Sequence, residues 1–141
     1  SNGVASQVTA IDGGITYVEA GFATQQGLGV ANLDFGNGPV ELNTESVGVA
    51  LDNLQFTSEG HDMVVDTEAL FASDAAGSYP LILTTYEIVC SAGYDESTSA
   101  MVKDFLTVAL DNQDEGLAEL GYIPVTGTHA ERLAAAVEAI Q

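Results

Sequence analysis

The 141-residue chain has very little positive charge. Lys103 and Arg132 are its only bases against 21 acids, and the formal net charge is −19. Such a surface repels nucleic acid and anionic membranes. Any anion site on it has to be local, made of backbone N–H groups and hydroxyls rather than a field of lysines. Cysteine is nearly absent, and the lone Cys90 cannot staple the chain to itself. No apolar run approaches the ~20 residues that span a bilayer. No base-led apolar segment opens the 141 residues, as a signal peptide would. An EF-hand loop, an HExxH pair and a CxxC pair are all missing, which removes the common calcium and zinc signatures.

Aliphatic residues, by contrast, are plentiful. Hydrophobic residues make up 46% of the chain, which argues against disorder and allows a sizeable core in one ordinary domain. The simplest reading is an acidic, soluble, secreted protein. Glycines cluster at Gly13-Gly14, Gly27, Gly29, Gly36 and Gly38, so the first third should consist of short elements and tight turns.

The pattern predicts a helix over 4–9 and a strand over 15–19 with Ile15, Tyr17 and Glu19 on one face. A short helix over 21–26 stops at Gly27, and a second strand covers 30–35. Asn43 or Thr44 caps a helix carrying Val47, Val49, Ala50, Leu51 and Leu54. Residues 57–78 stay ambiguous. The best strand is 81–90, rich in β-branched residues and apolar on both faces at its start, like a central strand of a covered sheet. Asp95 caps the best helix, where Met101, Phe105 and Val108 fall at i, i+4 and i+7, with Val102, Leu106 and Ala109 beside them. A short helix over 114–120 and a last helix from about Thr128, with Ala130, Leu133, Val137 and Ile140 on one face, complete the chain. Helices and strands alternate, but the strands are too few and scattered to close a sheet alone.

No chemical motif rises above its structural reading. Cys90 lacks a neighbouring base and lies among acids, so it reads as core rather than as a nucleophile. Thr126-Gly127-Thr128 has the shape of an anion nest, yet Glu131 in the following turn favours a plain helix cap. Ser97-Thr98-Ser99 is flanked by Asp95 and Glu96 and reads as capping. Gly27-Leu28-Gly29 follows a helix, the wrong place for a dinucleotide fingerprint. Glu59, His61 and Asp62 form a loose group without metal-ligand spacing. Asp66 with Glu68, and Asp114 with Glu115, read as solvated acids. The chain is therefore expected to be no enzyme and to need no cofactor or metal. A hydrolase using Cys90 or His61 is the weaker alternative.

Several segments in order resemble one family. ITYVEAGFATQQGL at 15–28, GPVELNTESV at 38–47, YPLILTTYEIVC at 79–90, VKDFLTVAL at 102–110 and ELGYIPV at 119–125 are similar to elements of the phosphate-binding proteins of phosphate ABC transporters, the PstS family. The TTYEIVC wording is most like the actinobacterial branch. The resemblance implies the C-terminal portion of a two-lobed, type II periplasmic-binding-protein fold, α/β with a mixed sheet and flanking helices. It assigns 1–78 to the C-terminal part of lobe two and 79–141 to the C-terminal part of lobe one, with the boundary at Ser78-Tyr79-Pro80. It also implies inorganic phosphate and ABC transporter membrane subunits as partners of the intact protein. The implied location is extracytoplasmic, at the cell surface or in the periplasm, with a lipid anchor on a preceding segment. The family's phosphate ligands match nothing here, Arg132 and Thr126-Gly127-Thr128 included, so no phosphate-binding residue is expected in this chain. Cys90 would then be core or half of a disulfide with a missing partner. A piece of such a fold should leave apolar faces open and pair with a second copy, by strand exchange among other routes. An acidic interaction module of the same fold that binds no phosphate is the other reading.

Overall fold

The computed structural model describes residues 1–141 except Glu115, Ala118 and Glu119. The expected helix over 114–120 includes those three and to that extent lies outside the described residues. No helix among the described residues is long and apolar enough to cross a membrane.

The core is built around one well-capped helix. Helix α3 (Thr44–Asp52) starts at Asn43, whose side chain accepts from the Ser46 N–H at 2.9 Å. The Ser46 hydroxyl accepts in return from the Asn43 N–H at 3.1 Å. This reciprocal pair satisfies donors that a helix start otherwise leaves open. Val47, Ala50, Leu51 and Leu54 follow at i, i+3, i+4 and i+7, so they share one face. Val47 and Leu51 bury themselves with Tyr79, and Leu33, Val40, Leu42, Ile82 and Ile123 pack around them. Ala50 packs with Val65 and Leu70, flanked by Leu54, Phe56 and Ile82.

The ambiguous stretch 57–78 resolves around this face. Phe56 and Val65 form an antiparallel bridge, and Asp66 caps the short helix α4 (Thr67–Phe71) by accepting from the Ala69 N–H at 2.9 Å. Asp66 is therefore a cap rather than a purely solvated acid. The chain then turns through Ser78, Tyr79 and Pro80, all buried, with the Tyr79 N–H donating to the Ser46 carbonyl at 3.0 Å. The Ser78 hydroxyl is buried without a hydrogen-bond partner among the described residues.

At the N-terminal end, α1 (Asn2–Ala10) packs on α2 (Ala20–Gln25), the two burying Ala5 and Ala23. Helix α2 ends at Gly27, φ 64°, with Leu28 N–H to Ala23 O and Gly27 N–H to Thr24 O, the left-handed cap that glycine allows. Gly21 meets the turn at Leu120 and Gly121 so closely that a Cβ on either glycine would strike the other's backbone or Leu120's. Glycine is required there by contact, not only by conformation.

The sheet is smaller than the sequence suggests. Strands β1 (Leu33–Asp34) and β2 (Pro39–Val40) form an antiparallel hairpin, Leu33 opposite Val40. The Asp34 carboxylate accepts from Gly36 and Gly38 N–H and holds the turn. The expected strands over 15–19 and 81–90 join no ladder among the described residues. Residues 81–84 still alternate: Ile82 and Thr84 are half-buried, while Leu81 and Leu83 face out. One face thus rests on the core. Leu83 on the other side is 88% exposed, and past Thr84 even Ile88 is bare at 93%, contrary to a strand covered on both sides. Ile15 and Tyr17 are equally bare.

The long helix α5 (Glu96–Asp111) and the last helix α6 (Gly127–Glu138) pack on each other, and α6 also packs on α3. Of the expected apolar residues, helix α5 buries Leu106, while Met101, Phe105 and Val108 lie open. Two apolar faces exist on α5, and α6 is large enough to cover one.

The chain exposes 9456 Å². A closed monomer of this mass, 14.6 kDa, would expose about 6,900 Å², an excess here of about 2,500 Å². Truncation should separate the covered and open faces. Leu51→Ala is expected to cost about 2–5 kcal/mol. Phe105→Ala should stay within about 0.5 kcal/mol, as at an exposed surface position. Urea melts of the two variants check the contrast.

Candidate functional site

The chain's charged and aromatic chemistry converges where α6 meets the first half. Thr126 begins α6 without a side-chain cap bond, and the N-terminal turn instead meets Asp52, the last residue of α3. The Thr128 hydroxyl lies 3.4 Å from Asp52 Oδ1, and a Cβ on Gly127 would stand 3.1 Å from the same oxygen. A carboxylate is unfavourable at the C-terminal end of its own helix and favourable at the N-terminal end of another, so Asp52 gains from this placement. The nest-shaped Thr126-Gly127-Thr128 turn is thus faced by a carboxylate of the chain itself. Glu131 is exposed.

In the same turn, His129 is buried and its ring stacks on Phe56, centroids 5.9 Å apart and planes 11° apart. The Arg132 guanidinium lies 4.1 Å from the Phe56 centroid. Burial, and then the Arg132 charge, hold His129 below the ordinary imidazole value. Together with Leu51 and Leu54 these groups line a cleft of about 150 Å³. At the far end of α6, Lys103 Nζ donates to the Glu138 carbonyl at 3.2 Å. The arrangement docks a helix. It pairs no nucleophile with a base.

The other candidates are dispersed. Cys90 is exposed, not core, and its N–H donates to Tyr94 Oη at 2.8 Å. The reason is the bare outer half of 81–90: with no neighbouring strand, its end has nothing to bury against. Glu59, His61 and Asp62 sit on an exposed turn, where the Ser58 hydroxyl donates to Asp62. No group of three metal-ligating side chains converges among the described residues. Thr98 donates to the Asp95 carboxylate through its hydroxyl at 2.7 Å and its N–H at 3.0 Å, so that trio is a cap. These bonds, the hydroxyl's first, hold the Asp95 carboxyl below its usual range. Gly27-Leu28-Gly29 closes α2. Asp114 accepts from the Gly116 N–H at 3.0 Å. Asp52 and Phe56 were invisible as partners of α6 in the sequence. The only local hint was the His129–Arg132 spacing of three, which puts both on one helix face.

With this geometry in hand, the comparisons with known proteins decide the family. The sequence profile of the PBP superfamily domain matches residues 1–113. The chain belongs to the PBP superfamily. Among curated proteins, this PBP superfamily chain is 39% identical over 142 residues to the "Phosphate-binding protein PstS2" of Mycobacterium bovis (strain BCG / Pasteur 1173P2). It is 34% identical to the "Phosphate-binding protein PstS 3" of Mycobacterium leprae (strain TN). Both matches cover 99% of the chain but 38% of the relative. The "Phosphate-binding protein PstS" of Xylella fastidiosa (strain Temecula1 / ATCC 700964) is 27% identical over 89% of the chain and 34% of that protein. The PstS resemblance and the α/β class expected from sequence are borne out. No solved structure matches.

Cys90 offers a direct check on the open strand. A thiol reagent is expected to modify it in the native PBP superfamily chain about as fast as in the unfolded chain. Strong native-state protection would place the strand end in a core.

Proposed function

We propose that the chain is part of an extracytoplasmic phosphate-binding receptor that serves an ABC importer, and that its own residues hold none of the phosphate. Residues 1–78 would belong to lobe two and 79–141 to lobe one, with Ser78-Tyr79-Pro80 at the crossover. A lipid anchor on a preceding segment would hold the receptor at the membrane. The reading is carried by one observation: relatives named as phosphate-binding proteins match 99% of the chain while the chain spans 38% of their length. The open surface supports it further. An excess of about 2,500 Å² on one partner is ample for an obligate interface, and the bare apolar side chains include Ile15, Tyr17, Leu83, Ile88 and the Met101–Phe105–Val108 stripe of α5. The rest of a longer receptor would cover those faces.

The charge fits this role. A surface with −19 offers an anion no field of lysines, so these residues could bind one only through local dipoles and hydroxyls. Here the obvious helix N-terminus is already faced by Asp52. Phosphate would enter between two lobes that close on it, on donors supplied from outside these 141 residues. No catalytic step is involved.

Titration calorimetry tests the placement. The 141-residue chain is expected to give no saturable heat with inorganic phosphate. A version extended at its N-terminus to the relatives' length is expected to bind. Tight binding by the short chain would put the ligands inside it. No binding by either would favour an interaction module of the same fold. The open faces make a second expectation: sedimentation velocity should show the short chain self-associating with rising concentration, and a monodisperse monomer would count against the uncovered-face reading.

A further inference from the structure

Helix α6 joins the first half of the chain at one small place, and that place is unusually polar for a helix contact. The cleft there is lined by Leu51, Asp52, Leu54, Phe56, Thr128, His129 and Arg132. Phe56 is supplied by the bridge to Val65, which lies in the core, so its ring is anchored from behind. Both α6 side chains that reach it, His129 at 5.9 Å between centroids and Arg132 at 4.1 Å, use the same ring. We propose that the Phe56–His129–Arg132 stack is an acid-released clasp between the last helix and the first half of the chain. This goes beyond the receptor reading and does not depend on what the longer protein binds.

The physical case is as follows. Neutral imidazole can stack on a phenyl ring and tolerate burial. Imidazolium in the same position is a second cation beside Arg132, in a cleft from which water is partly withdrawn. Of the charged groups facing His129, Arg132 lies on its own helix and opposes the proton. Asp52, from α3, is the only carboxylate lining the cleft among the described residues, and its Oδ1 is turned to Thr128 and Gly127 at the start of α6. The Phe56 segment contributes no charge to the lining. Attraction of imidazolium to the Phe56 ring acts in the opposite sense, but Arg132 already draws on that ring.

The direction follows from proton linkage. The docked His129 is held below the ordinary imidazole value, while a released His129 regains a value of about 6.5. Docking is therefore fully effective above about pH 6.5 and weakens as the pH falls toward the lowered value, because the released helix takes up a proton that the docked one refuses. Below the lowered value no further loss accrues.

Hydrogen exchange on the full 141-residue chain reads this out, with rates corrected for the intrinsic effect of pH. Protection of the amides from Ala130 to Ala134 is expected to fall between about pH 7.5 and about pH 5.5, by no more than about tenfold, the limit set by a released imidazole of about 6.5 one unit above the lower pH. In His129→Gln, which stacks but takes no proton, it should stay level. An equal loss in both chains, or protection that rises in acid because His129 pairs with Asp52, would overturn the clasp. Should the variant fail to fold, an NMR titration of the His129 ring in the unsubstituted chain decides alone. A midpoint below the ordinary imidazole value, with α6 resonances moving at the same pH, supports the clasp, and a midpoint at or above that value overturns it.

Discussion

A chain with 21 acids has two cations to spend, and both are used to seat its last helix. Lys103, from α5, sits on the carbonyl at the C-terminal end of α6, and Arg132 lies over Phe56 one turn from its start. Asp52 completes the arrangement at the N-terminal turn. Each end of the α6 dipole thus meets a charge of the favourable sign, contributions of about 0.3–1 kcal/mol each at exposed sites. These are small energies, yet they matter because the apolar contact is also small. The helix packs on both α5 and α3, and so ties the long helix to the element on which the core is built.

That core is organised around a single face of α3, with Tyr79 and Ile82 laid across it as the chain leaves the Ser78-Tyr79-Pro80 turn. Beyond Thr84 the burial stops. Ile88, Val89 and Cys90 face solvent, as do Ile15 and Tyr17 and the outer stripe of α5. The open elements are also those with the strongest apolar signal in the sequence. Their composition suits a covered sheet and a sandwiched helix, and in this chain neither has a cover. Membership of the PBP superfamily, together with relatives of which this chain spans 38%, gives that mismatch a consistent setting.

Local signals were read well. The caps at Asn43 and Asp95 and the stop at Gly27 follow from hydrogen-bonding groups within one or two turns of each other, and the core face of α3 from apolar residues at helical spacing. Signals that need a distant partner were not. The β-branched run 81–90 encodes a preference for extended backbone, but a ladder also needs a neighbour, and none lies among the described residues. Cys90 was read as core for the same reason and is exposed. On α5 the periodicity marked Met101, Phe105 and Val108 with Val102, Leu106 and Ala109 beside them, and the fold buried only Leu106 of these, on the side α6 packs against.

The candidate cleft shows the division most clearly. From the residues alone came the helix that carries His129 and Arg132 one turn apart, the scarcity of cations, and the lack of any catalytic pairing. Five separate segments also carried the resemblance to phosphate-binding proteins. Only the tertiary structure brought Asp52 to the start of α6, some 76 residues along the chain, and placed Phe56 under His129 and Arg132. Helix and cap propensities act over one or two turns and are written locally. The choice of which carboxylate faces which helix end, and which apolar face finds a cover, is made by chain packing, and no short stretch of sequence encodes it.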